Sequence, residues 1–525
     1  MPNAKTPLLR SLQKAFRLSM LSGQNGMPPI DEMADWAAEQ ERQAYTRRQF
    51  LRDSVYGGMA IGAGTMLPKF MFRFPPDARI AIVGAGMAGL HAAYLLKNAG
   101  LEKNFTLYEG SGRTGGRMFT RKLNNNDMTT ELGGEFVDST HTEIFKLAQL
   151  FGVEVMDRKS DPLPGTDSFF MDGRNYSFSE AVRAFGRVRK KIGRDAKSVG
   201  KNYDKPGATR LDNMTMLEYF EGLQTDAWFK KVLEVAYIGE FGLDLQEQAA
   251  LNFVDLVGCQ RKGLELFGTD SDERYKLKGG NEQLCDGLAK AVQHKIEFKH
   301  RLMAVKSKGS GFMLNFGHDG GTKEVTADYV IMTIPYTMLR DVEGIEKLNG
   351  MTPEKLRCIR ELGYGTNGKY FLDLKERPWR KQNQQGYLFT EAIHSGWDSY
   401  HLQGNNAGKS IFTVFLGGKA GANMAKGGGE AFLPGIDKAF PGVQAAYTGF
   451  NEKMNWTEHE FTKGSYACYK PGQWMSISGK EAEPVGNMYF AGEHCSGDFQ
   501  GFMNGAAETG RVAAEGVMGV LGVGG

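Results

Sequence analysis

The sequence predicts an α/β protein built on a Rossmann-type domain. Three features point there: a strand, glycine loop and helix at residues 79–97, a second apolar strand ending at Glu109, and a strand, turn and helix pattern at residues 488–511. With 525 residues the chain exceeds one ordinary core, so two or more domains are expected.

The first unit is ARIAIVGAGMAGLHAAYLLK, in which Ile80 to Val83 form a buried-strand run and Leu90 to Lys97 continue as an apolar helix. Between them Gly84, Gly86 and Gly89 fall in GxGxxG spacing. Gly84 makes the tight turn, Gly86 lets the backbone approach a pyrophosphate, and Gly89 lets helix and strand pack closely. The second strand, Phe105 to Tyr108, ends at Glu109, about 20 residues past the last glycine. A carboxylate there suits the ribose hydroxyls of an adenosine and repels a 2′-phosphate. The following GSGRTGGRMFT adds a second close backbone approach at Gly115 and Gly116, while Arg113 and Arg117 bring guanidinium groups that suit phosphate.

From here the chain carries an ordered series of motifs: EGSGRTGGR from Glu109, ELGGEFV from Glu131, KGGNEQL from Lys278, ADYVIMTIP from Ala327, GYGTNGKYFLDLKERPW from Gly363, NWTEHEFTKGSY from Asn455 and FAGEHCSGDFQGFMNGAAETG from Phe490. The series resembles the flavin-dependent amine oxidases, the group of monoamine, polyamine and L-amino acid oxidases. The resemblance implies an FAD-binding domain of the glutathione-reductase-like kind, assembled from residues 77–160, 270–340 and 450–525. Residues 161–269, largely helical, and 341–449, richer in strands, would build an inserted α+β substrate domain. Residues 1–76 stand before both. The terminal pattern is then the other half of the first nucleotide site, not a second site.

The same resemblance assigns roles. It places Gly133 and Gly134 beside the isoalloxazine ring and Lys369 near flavin N5, bridged by a water. Tyr466 and Phe502 would flank the substrate amine, with Trp456 under the flavin. Gly492 and Glu493 would lie near the ribityl-pyrophosphate, and the last helix would start near Gly501. Ser465 stands where some relatives carry a flavin-binding cysteine, so FAD is expected to be non-covalent. Glu135 and Phe136 occupy the place where L-amino acid oxidases commonly carry a carboxylate-binding arginine. That points to amines lacking a carboxylate, with Glu135 a candidate to attract the second ammonium of a diamine. The implied reaction passes the α-hydride of a neutral amine to N5, gives an imine that hydrolyses to aldehyde and ammonia, and reduces O2 to hydrogen peroxide. The alternatives are an L-amino acid oxidase, a flavin desaturase or dehydrogenase, and a non-catalytic FAD-binding protein. A homodimer is an assembly the resemblance allows.

Composition narrows the remaining classes. Lys plus Arg number 64 against 61 Asp plus Glu, so no global basic field argues for nucleic acid. The basic run from Arg183 to Lys201 is expected to be a solvated helix face. The five cysteines, at 259, 285, 358, 468 and 495, form no CxxC or Cys/His spacing, and no metal site is expected. Near the N-terminus TRRQFLR is followed by a glycine-rich, moderately apolar run from Ser54 to Leu67. With Arg47 and Arg48 as the pair, this resembles a bacterial twin-arginine signal. It implies the Tat export machinery as a partner and a periplasmic or secreted location. The alternative is a basic surface helix on a cytoplasmic chain.

Overall fold

The computed structural model describes residues 78–523 except 124–127, 162–165, 201, 259–272, 404–407 and 425–427. Arg47 and Arg48, and Cys259, lie outside the described residues.

Strand β1, Ile80–Val83, is the middle of a five-stranded parallel sheet. Strand β2, Phe105–Tyr108, lies on one side of it, followed by Ile296–Glu297. On the other side come Tyr329–Met332 and then Met488–Phe490, the apolar run of the terminal motif. All four residues of β1 are buried, as expected for a parallel strand covered on both faces. Helix α1, Met87–Leu96, packs on one face against the C-terminal helix Met503–Leu521. Small residues allow the approach: a Cβ on Gly510 would stand 2.3 Å from the Ala88 carbonyl oxygen. The other face carries Val83 and Met332 against Ile345, Leu348, Cys358 and Ile359. The segment just after residue 340 therefore packs under the nucleotide sheet, because the helix Pro353–Glu361 turns its apolar face to that core.

The second domain is organised on a seven-stranded sheet in the order Tyr447–Asn455, Gly368–Leu374, Ser410–Leu416, His394–Asp398, Gln384–Thr390, Thr166–Met171, Arg174–Tyr176. Both flanking segments of the sequence contribute to it, and Tyr447–Asn455 belongs to it along its whole length, so the chain re-enters the nucleotide domain at Trp456. The helix Phe178–Val199 is opened by a capping box between Ser177 and Glu180. It buries Val182, Phe185, Val188 and Ile192, while Arg183, Arg187, Lys190, Arg194 and Lys197 are exposed. The basic run is thus the outer face of an amphipathic helix. No described helix is long and apolar enough to cross a membrane.

Candidate active site

A cavity of about 410 Å³ brings together residues as far apart in the chain as Val83 and Ala506. Its nucleotide-loop part is lined by Gly84, Gly86, Glu109, Arg113, Gly116 and Arg117, with Gly492 and Glu493 from the terminal motif. Gly133, Gly134, Glu135, Phe136, Lys369, Trp456, Tyr466, Gly501 and Phe502 line the same cavity. Gly89 does not. It lies inside α1, where a Cβ would stand 1.9 Å from the Gly84 carbonyl oxygen, so its role is the close contact of helix and loop.

The loop has the shape of an anion cradle. Gly84 adopts φ +104°, and a Cβ there would meet Thr333 Oγ1 at 2.6 Å. Gly86 caps α1, and nothing lies within 4 Å of where its Cβ would be, so backbone N–H groups at the helix start are open to a ligand. Gly116, at φ +58°, brings the second turn against Gly86, where an added Cβ would stand 3.3 Å from the Gly86 Cα. The carboxylate of Glu109 accepts from Ala85 N at 2.7 Å and Ser111 N at 2.8 Å, which fixes its orientation and leaves lone pairs for hydroxyl donors. These residues fit an adenine dinucleotide.

The two arginines of the loop have protein partners. Arg113 donates to the Thr114 and Gly116 carbonyls, pairs with Glu282 at 3.3 Å and stacks over the Phe119 ring. Arg117 pairs with Glu493 at 2.8 Å and donates to the Ser465 carbonyl at 2.5 Å. Glu493 also accepts from Gly501 N at 2.8 Å. One carboxylate thereby ties the second glycine turn to the terminal loop, and the arginines organise the wall as much as they charge it.

Lys369 stands on Gly368–Leu374, a strand buried at all seven positions and flanked on both sides within its sheet. Its Nζ donates to the Glu131 and Gly133 carbonyls, each at 2.9 Å, and to Glu135 Oε2 at 3.1 Å. The second oxygen of Glu135 accepts from Lys276 Nζ at 2.9 Å. The expectation that Glu135 attracts a substrate ammonium is corrected here: both carboxylate oxygens are already paired with lysines. Burial pulls the Glu135 carboxyl upward, but the two ammonium groups outweigh it and hold the group below its ordinary value. Glu131, buried and hydrogen-bonded to Asn281 N and Thr120 Oγ1, is instead pushed up to about 8, by burial first and by Glu135 in addition.

Around this charged floor the walls are aromatic. Tyr466 donates its hydroxyl to the Gly239 carbonyl at 2.8 Å, and burial raises the phenol well above its ordinary value, so it stays neutral. Phe502 is packed edge-on against the buried His141 at 5.0 Å. The indole of Trp456 donates to the Leu132 carbonyl at 3.0 Å beside the Gly-Gly pair. Ser465 Oγ donates to Asn367 Oδ1 at 2.6 Å, and none of the four described cysteines lines the cavity.

Four contributors escaped sequence reasoning. Trp397 and Phe415 come from sheet strands outside any motif, and Asn367 and Lys276 act through contacts made by folding. Position relative to the motifs is the available signal: Asn367 lies inside the motif that begins at Gly363, two residues before Lys369, and Lys276 stands two residues before the KGG of Lys278.

Flavin-containing amine oxidase A of Sus scrofa is 24% identical over 465 residues, covering 84% of this chain and 85% of that protein. Pseudooxynicotine dehydrogenase of a Pseudomonas species is 23% identical over 513 residues, covering 91% and 97%. The fold is shared with cyclohexylamine oxidase from Brevibacterium oxydans IH-35A, at a TM-score of 0.72 and 21% identity over 85% of this chain and all of that one. It is shared also with a putrescine oxidase, at a TM-score of 0.71 and 19% identity over 84% and 99%. The family model of flavin containing amine oxidoreductases matches residues 87–518, so the chain belongs to that family and its cofactor is FAD.

Proposed function

We propose that the protein oxidises amines lacking a carboxylate, giving an imine that hydrolyses to aldehyde and ammonia. The observation that carries this reading is the presence of Lys369, Tyr466 and Phe502 in one cavity with the dinucleotide cradle. The residues of the cradle would hold FAD, which when bound would supply the acceptor for the hydride of the substrate's α-C–H bond, with O2 as the final oxidant and hydrogen peroxide as its product.

The chain's own part is positioning and exclusion of water. Phe136, Trp397, Phe415, Tyr466 and Phe502 offer apolar faces to a neutral amine, and the hydroxyl of Tyr466 is turned away to Gly239. Lys369 is held at the Gly133 carbonyl, on the part of the wall assigned to the ring. The arginines lining the cavity, Arg113, Arg117 and Arg301, belong to the nucleotide-loop side, where Arg301 packs beside Gly110. Arg158 stands over the Phe136 ring at 4.9 Å but does not line the cavity and donates to the Glu273 carbonyl at 2.7 Å, so among the described residues the cavity-lining guanidinium groups are those of the nucleotide-loop side. Ser465 in place of a thiol supports non-covalent FAD. The neutral amine is the reactive form, because an ammonium has no lone pair to stabilise the developing iminium.

Anaerobic mixing with aryl amines, cyclic amines, diamines and the twenty amino acids, followed by air, tests the reading. Bleaching by amines with peroxide on reoxidation is expected. Bleaching by amino acids alone, bleaching without reoxidation by air, or no bleaching would each overturn it. Lys369→Met should slow flavin reduction or reoxidation strongly. Export by the twin-arginine route belongs to the same reading, supported by the Arg47–Arg48 pair and the apolar run after it. A fusion to a periplasm-dependent reporter should lose export when both become Lys, and persistence of export would remove the signal.

A further inference from the structure

Beneath the cavity floor lies a second lysine. Lys276 stands on the short strand Tyr275–Leu277, which pairs with Val155–Asp157 and belongs to neither large sheet. It does not line the cavity. Its Nζ donates to Glu135 Oε1 at 2.9 Å and to the Ser399 carbonyl at 2.7 Å. Through the other oxygen of Glu135 it is connected to Lys369, and the side chains of Lys276, Glu135 and Lys369 are 5%, 2% and 5% exposed.

This arrangement is costly to bury. A buried ammonium needs a counterion, and one carboxylate here serves two. Lys369 meets three acceptors with three N–H bonds, the number an ammonium has and a neutral amine lacks. With both lysines as ammonium groups and Glu135 ionised, the triad carries a net charge of one positive unit, and Lys369 brings it to the cavity wall beside Gly133.

We propose that Lys276 is a positioning residue for the flavin site: through Glu135 it orients Lys369 and keeps the triad's net charge positive. The proposal rests on the reading that the flavin ring lies against Gly133 and Lys369. Without Lys276 the carboxylate and Lys369 cancel, and the positive field at the ring is lost. With Lys276 and Glu135 both removed, Lys369 alone restores it. Lys369 then keeps the Glu131 and Gly133 carbonyls as acceptors but has lost its carboxylate partner.

The test uses the FAD-loaded protein and sulfite, an anion that adds to flavin N5 and whose affinity follows the local positive field. Lys276→Met should weaken sulfite binding by at least about tenfold and make the flavin harder to reduce. The double variant Lys276→Met, Glu135→Gln should return to within about threefold of wild type. If Lys276→Met does not fold, Lys276→Gln takes its place, keeping a donor to Glu135 but no charge. Unchanged sulfite affinity in the single variant, or a double variant as weak as the single, overturns the proposal. Wild-type protein that retains no FAD would overturn the functional reading instead.

Discussion

Gly86→Ala separates a ligand cradle from a merely tight turn. At Gly86 φ is −75° and ψ −178°, an ordinary conformation for any L residue, and no atom lies within 4 Å of the added Cβ. The protein without cofactor should therefore fold, and gain roughly 0.4–1 kcal/mol from the lower entropy of its unfolded chain. The methyl group projects into the cavity at the start of α1, where the cradle would hold the pyrophosphate. Losing one charge-assisted hydrogen bond there costs about 1.5–3 kcal/mol, roughly a tenfold to hundredfold rise in Kd for FAD. Titrating apoprotein with FAD, followed by flavin fluorescence, measures this, and circular dichroism reports the fold. Gly89→Ala is the contrast: its Cβ would stand 1.9 Å from the Gly84 carbonyl oxygen, so the fold itself should suffer. A Gly86→Ala protein with wild-type FAD affinity, or one that fails to fold, would refute the assignment of the cradle.

The buried acid Glu131 makes stability depend on pH. Its folded value of about 8 lies above the ordinary 4.5, so its contribution is complete below about pH 4.5 and is lost as pH rises toward 8, by about 1.4 kcal/mol per unit. Glu131→Gln should therefore melt higher relative to wild type at pH 8 than at pH 5, and a difference that does not change with pH would refute it. Arg377 and Asp398 form a wholly buried ion pair at 3.1 Å, with Arg377 also donating to the Tyr400 and Gln403 carbonyls. Arg377→Met strands that carboxylate and should cost about 3–5 kcal/mol in denaturant unfolding, while a loss below about 1 kcal/mol would mean that water reaches Asp398. Acid precipitation should leave yellow FAD in the supernatant, because Ser465 offers a hydroxyl bonded to Asn367; a yellow pellet would indicate a covalent link.

Local chemistry was legible wherever it is written into adjacent residues. The strands at Ile80–Val83 and Phe105–Tyr108 follow from apolar runs, the turn at Gly84 from a backbone conformation that glycine adopts cheaply, and the helix start at Gly86 from the open space beside its Cα. Motif order further indicated that residues 488–511 close the first site, and Met488–Phe490 does join the sheet of β1. Charge pairing was another matter. From sequence Glu135 stands as a free carboxylate, and its partners Lys276 and Lys369 are 141 and 234 residues away. Arg113 and Arg117 stand as phosphate ligands, and folding engages them with Glu282 and Glu493.

The sequence by itself determined the dinucleotide loop, the absence of a thiol at position 465 and the aromatic residues available at 466 and 502. Only the tertiary structure decided which charges meet. A hydrogen-bonded ion pair depends on a few tenths of an ångström between atoms that chain connectivity does not hold together. The burial that makes such a pair matter is a property of the packed domains, not of either residue.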